Sequence, residues 1–354
     1  MRVRASEQAK NSNHHIDFID LIEIDLICFV VHALPHHRND LKDPNVMSAA
    51  SSNLLAQQLS NASCLGNLSQ VTALLDRGAS IEWRNSADYG NTALHVAAKH
   101  GRESTVRLLL NRGANINATA KNDVTPLFLA AQEGHESTVR LLLERSADIG
   151  RSSITKATPL YIAAERGHAA IVRLLLDANA NVSTTSIKNA TPLFIAAERG
   201  HAAIVRLLLD SRASLSTANK HGATPLFIAA QNGHLATMRV LLESNANVHS
   251  SAIAGYTALH IAAQNGHESG VRMLLDHSAS LEASTRDGDT ALLIAAREGH
   301  RAVVQLLLDR GANINAASNT NVTPLDAASR NDHDAVVHLL LTRGANNSLA
   351  SVRI

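Results

Sequence analysis

The chain has 354 residues, of which 45% are hydrophobic and only 3% aromatic, so its core must be built from Leu, Ile, Val and Ala. Its 32 lysines and arginines balance 31 acids, which leaves no bulk positive charge to hold nucleic acid or an anionic membrane. The two cysteines, Cys28 and Cys64, are too few for a disulfide scaffold and are not spaced as metal ligands. We therefore expect a protein of the cytoplasm, with the nucleus as an alternative, that is not secreted.

Residues 1–52 lack the pattern that organises the rest of the chain. The apolar run at 26–31 is too short for a membrane helix of ~20 residues, and the acids before it are foreign to a signal peptide. We expect a disordered leader or an amphipathic helix, and a membrane tether through residues 16–34 is the alternative. Because the composition changes abruptly at Met47, a further hypothesis is that residues 1–46 are not part of the native protein.

A repeat with a 33-residue period follows this leader. Segments 158–177 and 191–210 are identical except for Tyr161 and Phe194. The threonine that opens each copy recurs in eight full repeats, at Thr92, Thr125, Thr158, Thr191, Thr224, Thr257, Thr290 and Thr323. A degenerate copy precedes them. The predicted parts are a degenerate capping repeat at 53–85, full repeats from about residue 88, a polar capping repeat at 319–346 and a tail at 347–354.

Each repeat predicts two helices and a hairpin. In one unit Thr191 is a helix N-cap, Pro192 suits the first helical position and Gly200 ends this helix. A second helix with an apolar stripe through Leu208 follows, and an extended hairpin leads to the next threonine. A fixed period of this length indicates units that stack and bury their apolar faces against their neighbours. We predict an all-α, curved solenoid of about nine units over residues 53–346, with hairpins along one edge.

The helix, turn, helix and hairpin pattern, with its Thr-Pro-Leu and Gly-His signatures, resembles the ankyrin repeat. The resemblance implies a binding module without catalytic activity, whose ligands dock on the hairpin tips and the inner face of the first helices. The family's histidine after Thr-Pro-Leu, which ties neighbouring loops together, is retained at His95 and His260. Aromatic residues replace it at Phe128, Tyr161, Phe194 and Phe227. We expect these rings to pack along the stack, and an apolar stripe on the ligand side is the alternative.

Other positions also depart from the family. Its glycine at the end of the second helix is present at Gly78, Gly113, Gly311 and Gly344 but replaced by Ser146, Asn179, Arg212, Asn245 and Ser278. Among the replacements only asparagine tolerates a left-handed conformation well, so we expect looser middle repeats. Polar residues at Asp326, Ser329, Asp332 and Asn347 predict that the last repeat caps the array. The resemblance also places Asn117 and Asn315 where ankyrin-type asparagines serve as hydroxylation substrates.

Two ladders of charged or polar residues have the same period. Histidine recurs at His135, His168, His201, His234, His267, His300 and His333. Because equivalent atoms of stacked repeats lie ~8–10 Å apart, these side chains cannot share one metal ion, and we expect hydrogen bonds between loops. Arginine recurs at Arg107, Arg140, Arg173, Arg206, Arg239 and Arg272, mostly with an acid four residues later, which predicts neutralised pairs on an outer face. Phosphate-binding glycine loops, Gly-x-Ser-x-Gly elbows and His-Glu-x-x-His motifs do not occur.

These patterns predict a non-catalytic protein–protein interaction module, a scaffold or adaptor without cofactor or metal. We expect a monomer that binds a protein partner rather than nucleic acid or a membrane. The alternative is a regulatory piece of a larger enzyme or channel assembly. The predicted contact residues vary at hairpin and inner-helix positions, and they are Tyr89, Lys99, His100, Lys121, Asn122, Gln132, Glu133, Glu165, Arg166, Lys188, Glu198, Arg199, Lys220, His221, Gln231, Tyr256, Arg286, Asp287 and Arg297.

Overall fold

The computed structural model of the protein describes residues 44–346. Some predictions concern residues wholly or largely outside this range. They are the membrane tether at 16–34, the hypothesis that residues 1–46 are not native, the polar capping residue Asn347 and the tail at 347–354. The chain divides into two units, residues 1–49 and 50–354, and the architecture below is that of the second.

The described part of the chain contains eighteen α-helices in nine pairs, and three short 3-10 helices lie in the hairpins, at Ser86–Asp88, Lys121–Asp123 and Ile253–Gly255. The α-helices are α1 (Pro44–Leu65), α2 (Leu68–Asp76), α3 (Ala93–Lys99), α4 (Glu103–Asn111), α5 (Pro126–Gln132), α6 (Glu136–Glu144), α7 (Pro159–Arg166), α8 (Ala169–Asp177), α9 (Pro192–Glu198), α10 (Ala202–Asp210), α11 (Pro225–Gln231), α12 (Leu235–Glu243), α13 (Ala258–Gln264), α14 (Glu268–Asp276), α15 (Ala291–Arg297), α16 (Arg301–Asp309), α17 (Pro324–Arg330) and α18 (Asp334–Thr342). The predicted all-α repeat fold is confirmed. The first helix starts at Pro44, ahead of the predicted start of the array at residue 53.

The first helix of each pair begins as its sequence predicts. Thr191 lies in extended conformation before α9, and its hydroxyl accepts a hydrogen bond from the backbone N–H of Phe194 at 3.1 Å. Pro192 follows at the first helical position, where a missing N–H costs nothing. Ala196 and Ala197 are fully buried. Their small side chains let the next helix approach closely, so consecutive first helices stack along the array.

The second helices form a parallel layer behind the first. In α10 the apolar residues Ile204, Val205 and Leu208 are buried, because they recur on the face that is turned towards the first helices. Each second helix packs on the second helices of the neighbouring repeats, from α2 through α18. The core therefore runs the length of the array as one continuous cluster, and each repeat is stabilised by the repeats on either side.

The second helices end in a left-handed residue whether or not that residue is glycine. Gly113 has φ +89°, and Arg212 adopts φ +64° at the equivalent position. Ser146, Asn179, Asn245 and Ser278 do the same, with φ between +62° and +66°. The backbone conformation is thus common to all repeats, and five of them adopt it with a residue other than glycine, which asparagine tolerates better than serine or arginine. That these repeats are looser stays a prediction.

The predicted ion-pair partners of Arg140, Arg206 and Arg272 on the second helices are wrong. Arg140 binds Glu136 at 2.9 Å and Arg272 binds Glu268 at 2.6 Å, so the acid lies four residues before the arginine instead of four residues after it. Arg206 reaches across to Glu243 on the following repeat's second helix at 3.3 Å. The cause is the direction of helical side chains, which lean towards the helix N-terminus and carry the guanidinium backwards.

The last repeat differs from its prediction at one position. Asp326 is only 7% exposed, and its Oδ2 accepts hydrogen bonds from the Thr323 N–H at 3.1 Å and the Thr323 hydroxyl at 2.8 Å. This carboxylate therefore closes the start of α17 instead of adding polarity to an outer surface. Asp332 is exposed, as expected of a capping repeat, and Ser329 is half-buried.

Candidate binding surface

The ladder histidines connect each repeat to the one before it. The Nε2 of His135 donates a hydrogen bond to the carbonyl oxygen of Lys99 at 2.8 Å. Because a carbonyl oxygen only accepts, Nε2 must carry the proton. The same bond, 36 residues apart in each case, joins His168 to Gln132, His201 to Glu165, His234 to Glu198, His267 to Gln231, His300 to Gln264 and His333 to Arg297. The predicted hydrogen bonds between loops are confirmed.

The acceptors of this ladder lie under the predicted inner-helix contacts. Six of the seven carbonyl oxygens belong to predicted contact residues, at Lys99, Gln132, Glu165, Glu198, Gln231 and Arg297. The seventh acceptor, Gln264, holds the equivalent position on α13 and was missed. Its place in the 33-residue period is the signal that could have found it. The histidines therefore fix the backbone that carries these side chains.

A glycine beside each histidine makes this contact fit. A Cβ atom built on Gly101 would lie 2.5 Å from Nδ1 of His135, closer than real Cβ contacts come. Gly134 and His168 stand in the same relation, with a closest distance of 2.7 Å. In the first pair of repeats Arg102 replaces the histidine, and its Nε donates to the Cys64 carbonyl oxygen at 2.8 Å. The Gly-His signature is thus one interlocking contact, in which glycine and histidine belong to successive repeats.

Backbone hydrogen bonds also join neighbouring hairpins at their tips. The N–H of Lys121 donates to the Tyr89 carbonyl oxygen at 2.8 Å, and that of Ile154 to Asn122 at 2.9 Å. Equivalent bonds join Ile187 to Thr155, Lys220 to Lys188, Ile253 to His221, Arg286 to Ala254 and Asn319 to Asp287, each 32 residues apart. We call the first six donor residues, Lys121, Ile154, Ile187, Lys220, Ile253 and Arg286, the tip row; the seventh donor, Asn319, lies in the polar last repeat. These bonds hold the row in register from repeat to repeat.

Three isoleucines of the tip row are exposed and were not predicted as contacts. The exposed fractions are 55% for Ile154, 60% for Ile187 and 58% for Ile253. The hairpin residues predicted as contacts are charged, amide or aromatic, whereas the composition makes aliphatic residues the expected material of the core. Aligning the hairpins at the 33-residue period places all three beside Lys121 and Lys220, and this signal could have found them.

The predicted contact residues differ in how far solvent reaches them. Exposed are Tyr89, Lys121, Asn122, Glu133, Lys188, Lys220, His221, Arg286 and Asp287. Half-buried are Lys99, His100, Glu165, Arg166, Glu198, Arg199, Gln231, Tyr256 and Arg297. Gln132 alone among them is buried, at 8% exposure, and its amide donates to Glu133 Oε1 at 3.0 Å. The hairpin residues are thus the most accessible part of the set.

Several half-buried contacts are already engaged within the array. Arg199 binds Glu165 at 3.0 Å, which links α9 to α7. Arg297 binds the buried carboxylate of Asp289 at 2.7 Å, and this hydrogen bond raises the pKa of the Arg297 guanidinium. These side chains would have to exchange an internal partner for an external one. At the hairpins, by contrast, the Lys121 ammonium lies 5.8 Å from the centre of the Tyr89 ring, an exposed cation–π contact.

The position after Thr-Pro-Leu serves packing. The exposed fractions of Phe128, Phe194 and Phe227 are 7%, 3% and 8%, and Tyr161 packs against the same core. Burial raises the pKa of the Tyr161 hydroxyl. This burial supports packing along the stack over the apolar stripe on the ligand side. At His95 the Nε2 bonds the Val124 carbonyl oxygen at 3.1 Å, so the retained histidine ties neighbouring loops as expected.

The two hairpin asparagines that resemble hydroxylation substrates each connect to the next repeat. Asn117 Oδ1 accepts the Asp148 N–H at 2.8 Å, and Asn315 Oδ1 accepts the Asn346 N–H at 2.8 Å. Hydroxylation of these two residues stays a prediction.

The described residues, 44–346, contain no group of three or more His, Cys, Asp or Glu side chains that could hold a metal ion. Within that same range the helices are too short or too polar to cross a membrane.

Together the ladder, the tip row and the two helical layers define a stacked helical-repeat protein whose variable side chains stand on loops. The family model for ankyrin repeats (3 copies) matches residues 59–153, 146–219, 213–285, 244–318 and 280–350. The chain therefore belongs to the ankyrin repeat family, whose members are generally protein–protein interaction modules and typically non-catalytic.

Two known proteins illustrate the similarity. The ankyrin repeat protein FPV031 of Fowlpox virus (strain NVSL) is 49% identical over 57 residues, which are 16% of this chain and 16% of the viral protein. The crystal structure of the human ASB11 ankyrin repeat domain matches with a TM-score of 0.59 at 30% identity, over 64% of this chain and 100% of that chain. The likeness to ASB11 covers a whole repeat domain, whereas the likeness to the viral protein covers a small part of each chain.

Proposed function

We propose that this protein is a non-catalytic scaffold or adaptor that binds a protein partner through its hairpin tips and the exposed face of its first helices. The observation that carries the proposal is the tip row. Its side chains differ from repeat to repeat, while the backbone beneath them is held by identical hydrogen bonds. A surface of that kind varies its chemistry without changing its shape, which suits recognition of a specific partner.

The mixture of side chains on this surface also suits a protein. Tyr89 is 58% exposed, and basic residues such as Lys121 and Arg286 stand out from the hairpins. Aromatic and arginine side chains supply most of the binding energy at many protein interfaces, within a polar rim. We propose that the cytoplasm is the compartment in which such an adaptor works, in keeping with the low cysteine content.

Affinity purification of the full chain tests this proposal. The hairpin variant has Tyr89, Lys121, Lys188, Lys220 and Arg286 all changed to Ala, and each of these residues is exposed. The control variant changes four exposed cations and one exposed apolar residue on or beside the second helices to Ala: Arg77, Arg173, Arg239, Arg301 and Leu235. Retained proteins are quantified by mass spectrometry from identical cell extracts.

We expect the native chain and the control variant to retain the same partner proteins in equal amounts. The hairpin variant should lose them, because it alone alters the proposed contact face. Equal retention by all three would contradict the choice of face. Retention of no protein above the level of an empty resin would contradict the function itself.

A further inference from the structure

We infer that the tip row binds an acidic protein segment that places apolar side chains between its carboxylates. This inference rests on the proposed function and adds the chemistry of the partner. Read along the array, the tip row is Lys121, Ile154, Ile187, Lys220, Ile253 and Arg286, so apolar and basic side chains share one exposed line.

The fold does not require the isoleucines. Ile154 contributes to the array through its backbone N–H, which donates to Asn122, and any residue except proline can supply that group. Lys220 and Arg286, whose side chains are polar, make the equivalent backbone bond. More than half of the surface of Ile154, Ile187 and Ile253 faces water, outside the packed core. A partner that covers them gains stability in proportion to the apolar area removed from water.

The charge on the hairpins of Ile154 and Ile187 and on their neighbours is positive, although the chain as a whole is nearly neutral. The hairpin of Ile253, at 251–255, carries no charge, and the next one, at 284–288, carries Arg286 beside Asp287. The hairpins at 119–123, 152–156, 185–189 and 218–222 carry Lys121, Lys156, Lys188 and Lys220 against a single acid, Asp123. Across residues 51–346 no lysine side chain pairs with a carboxylate, whereas second-helix arginines such as Arg140 do. The hairpin ammonium groups are therefore open to the carboxylates of a partner.

The row is also held ready for binding. Each tip is tied to the preceding one by a backbone hydrogen bond between 2.8 and 3.1 Å, so its side chains stand in fixed register before a partner arrives. A preformed surface loses less conformational entropy when it binds. Repeats spaced ~8–10 Å apart make six tips span ~40–50 Å, which an extended segment of about 15 residues covers.

The side chains favour a protein segment over single-stranded nucleic acid. Lysines attract phosphates as well as carboxylates, but non-specific binding of single strands also uses aromatic side chains on which bases stack. The tip row contains aliphatic side chains instead of aromatic ones, and Tyr89 lies on the hairpin before the first residue of the row, Lys121. Aliphatic side chains complement the apolar residues of a protein segment.

Selection from a random peptide library on the full chain tests the inference. The library displays segments of about 15 residues, matched to the length of the row. We expect the recovered peptides to be enriched in Asp and Glu with Leu, Ile, Val or Phe between them, relative to the input library. A labelled recovered peptide then serves as the probe in fluorescence anisotropy, and its binding should weaken when salt is raised from ~0.05 M to ~0.3 M.

Three variants then locate the peptide. The apolar tip variant combines Ile154→Ser, Ile187→Ser and Ile253→Ser, and its matched control combines Leu68→Ser, Leu235→Ser and Leu341→Ser at exposed leucines elsewhere. The charge-reversed tip variant combines Lys121→Glu, Lys220→Glu and Arg286→Glu. We expect affinity to fall about ten-fold or more for both tip variants and to stay unchanged for the control. The charge-reversed variant should bind the same peptide with Lys in place of its acids. Thermal unfolding followed by circular dichroism verifies that all three fold.

Each contrary outcome has a separate meaning. Recovered peptides without an excess of acids would overturn the inference, and so would peptides that bind the tip variants as tightly as the native chain. Neither result would contradict the proposed protein-binding function. Displacement of the peptide by single-stranded DNA, with DNA binding that the tip variants lose, would assign the row to nucleic acid and would also overturn it. Enrichment of no peptide over a control resin would count against the proposed function as well.

Discussion

Gly101 lies so close to the ring of His135 that a methyl group on the glycine would reach within 2.5 Å of Nδ1. The glycine also has φ +65°, a left-handed conformation that alanine disfavours. We therefore expect Gly101→Ala to lower the free energy of unfolding by about 2 kcal/mol or more, because it strains the turn and displaces the histidine from Lys99. The urea midpoint measures this loss.

Gly113→Ala is the matched control for this effect. Gly113 has φ +89°, but a Cβ atom at this position would meet no other atom within 4 Å, so only the conformational cost applies. That cost is about 1 kcal/mol. Equal shifts of the two urea midpoints would contradict the interlocking of Gly101 with His135.

Replacing the left-handed residues at the ends of the middle second helices with glycine should stabilise the protein. Arg212 adopts φ +64° where other repeats have glycine. Arg212→Gly should therefore raise the free energy of unfolding by about 1 kcal/mol, because glycine relieves the steric cost of this conformation. Asn245→Gly is the comparison, and its gain should be smaller since asparagine tolerates the left-handed region. A lower urea midpoint for Arg212→Gly would disprove this account of the middle repeats.

The pair of Asp289 and Arg297 should matter more than the exposed ion pairs. Asp289 is 5% exposed, and removing its carboxylate by Asp289→Ala leaves the half-buried guanidinium of Arg297 without its partner. We expect a loss of about 2 kcal/mol, reduced from the value for fully buried pairs because Arg297 reaches solvent. Asp276→Ala, which breaks the exposed pair with Arg310, should cost less than about 0.5 kcal/mol. Similar urea midpoints for the two variants would argue against this ranking.

The retained histidines should make the array sensitive to acid. Burial lowers the pKa of His95 from its ordinary value of 6.5 to about 4, and burial also lowers the pKa of His260. Nδ1 of His95 accepts the Thr92 N–H at 3.2 Å, so the folded chain holds the ring neutral. The unfolded chain binds this proton near pH 6.5 and the folded chain only near pH 4. Stability is therefore lost as the pH falls through that interval, by about 3 kcal/mol for His95.

A double variant isolates this contribution. His95→Phe with His260→Phe places at both positions the residue that stands at Phe128 and Phe194, where the array buries it. The free energy of unfolding of this variant should depend less on pH between 4 and 6.5 than that of the native chain. Only the slope is compared, because the variant also loses the hydrogen bond to Val124. An unchanged slope would mean that other groups set the acid sensitivity.

The period of the sequence was sufficient to predict the helices and the histidine ladder. Thr191, Pro192 and Gly200 act locally, through capping and backbone conformation, so their positions determine where a helix begins and ends. His135 could be assigned to loop contacts because its period excludes a shared metal ion. These features depend on residue type, and residue type is what a sequence displays.

The hydrogen bonds of the tip row could not be predicted in the same way. The bond from Ile187 to Thr155 uses only backbone atoms, and the same bond joins Lys220 to Lys188. The residue types at these positions therefore do not reveal it. The partner of Arg206 depends on the distance between neighbouring second helices, which the sequence does not display. The three exposed isoleucines were missed for a related reason: an aliphatic residue predicts a core position until the backbone shows that it lies on a loop tip.

The bonds that join the repeats also determine how this array can change by recombination. His201 meets Glu165 and His234 meets Glu198 through the same atoms at the same separation. Loss of the 33 residues 166–198 by unequal crossing-over would therefore bring His234 to Glu165 and the Lys220 N–H to Thr155, and both new junctions would be complete. Gain of a unit works in reverse. The array can lengthen or shorten by whole repeats without inventing an interface, while each exchange reorders the side chains of the tip row.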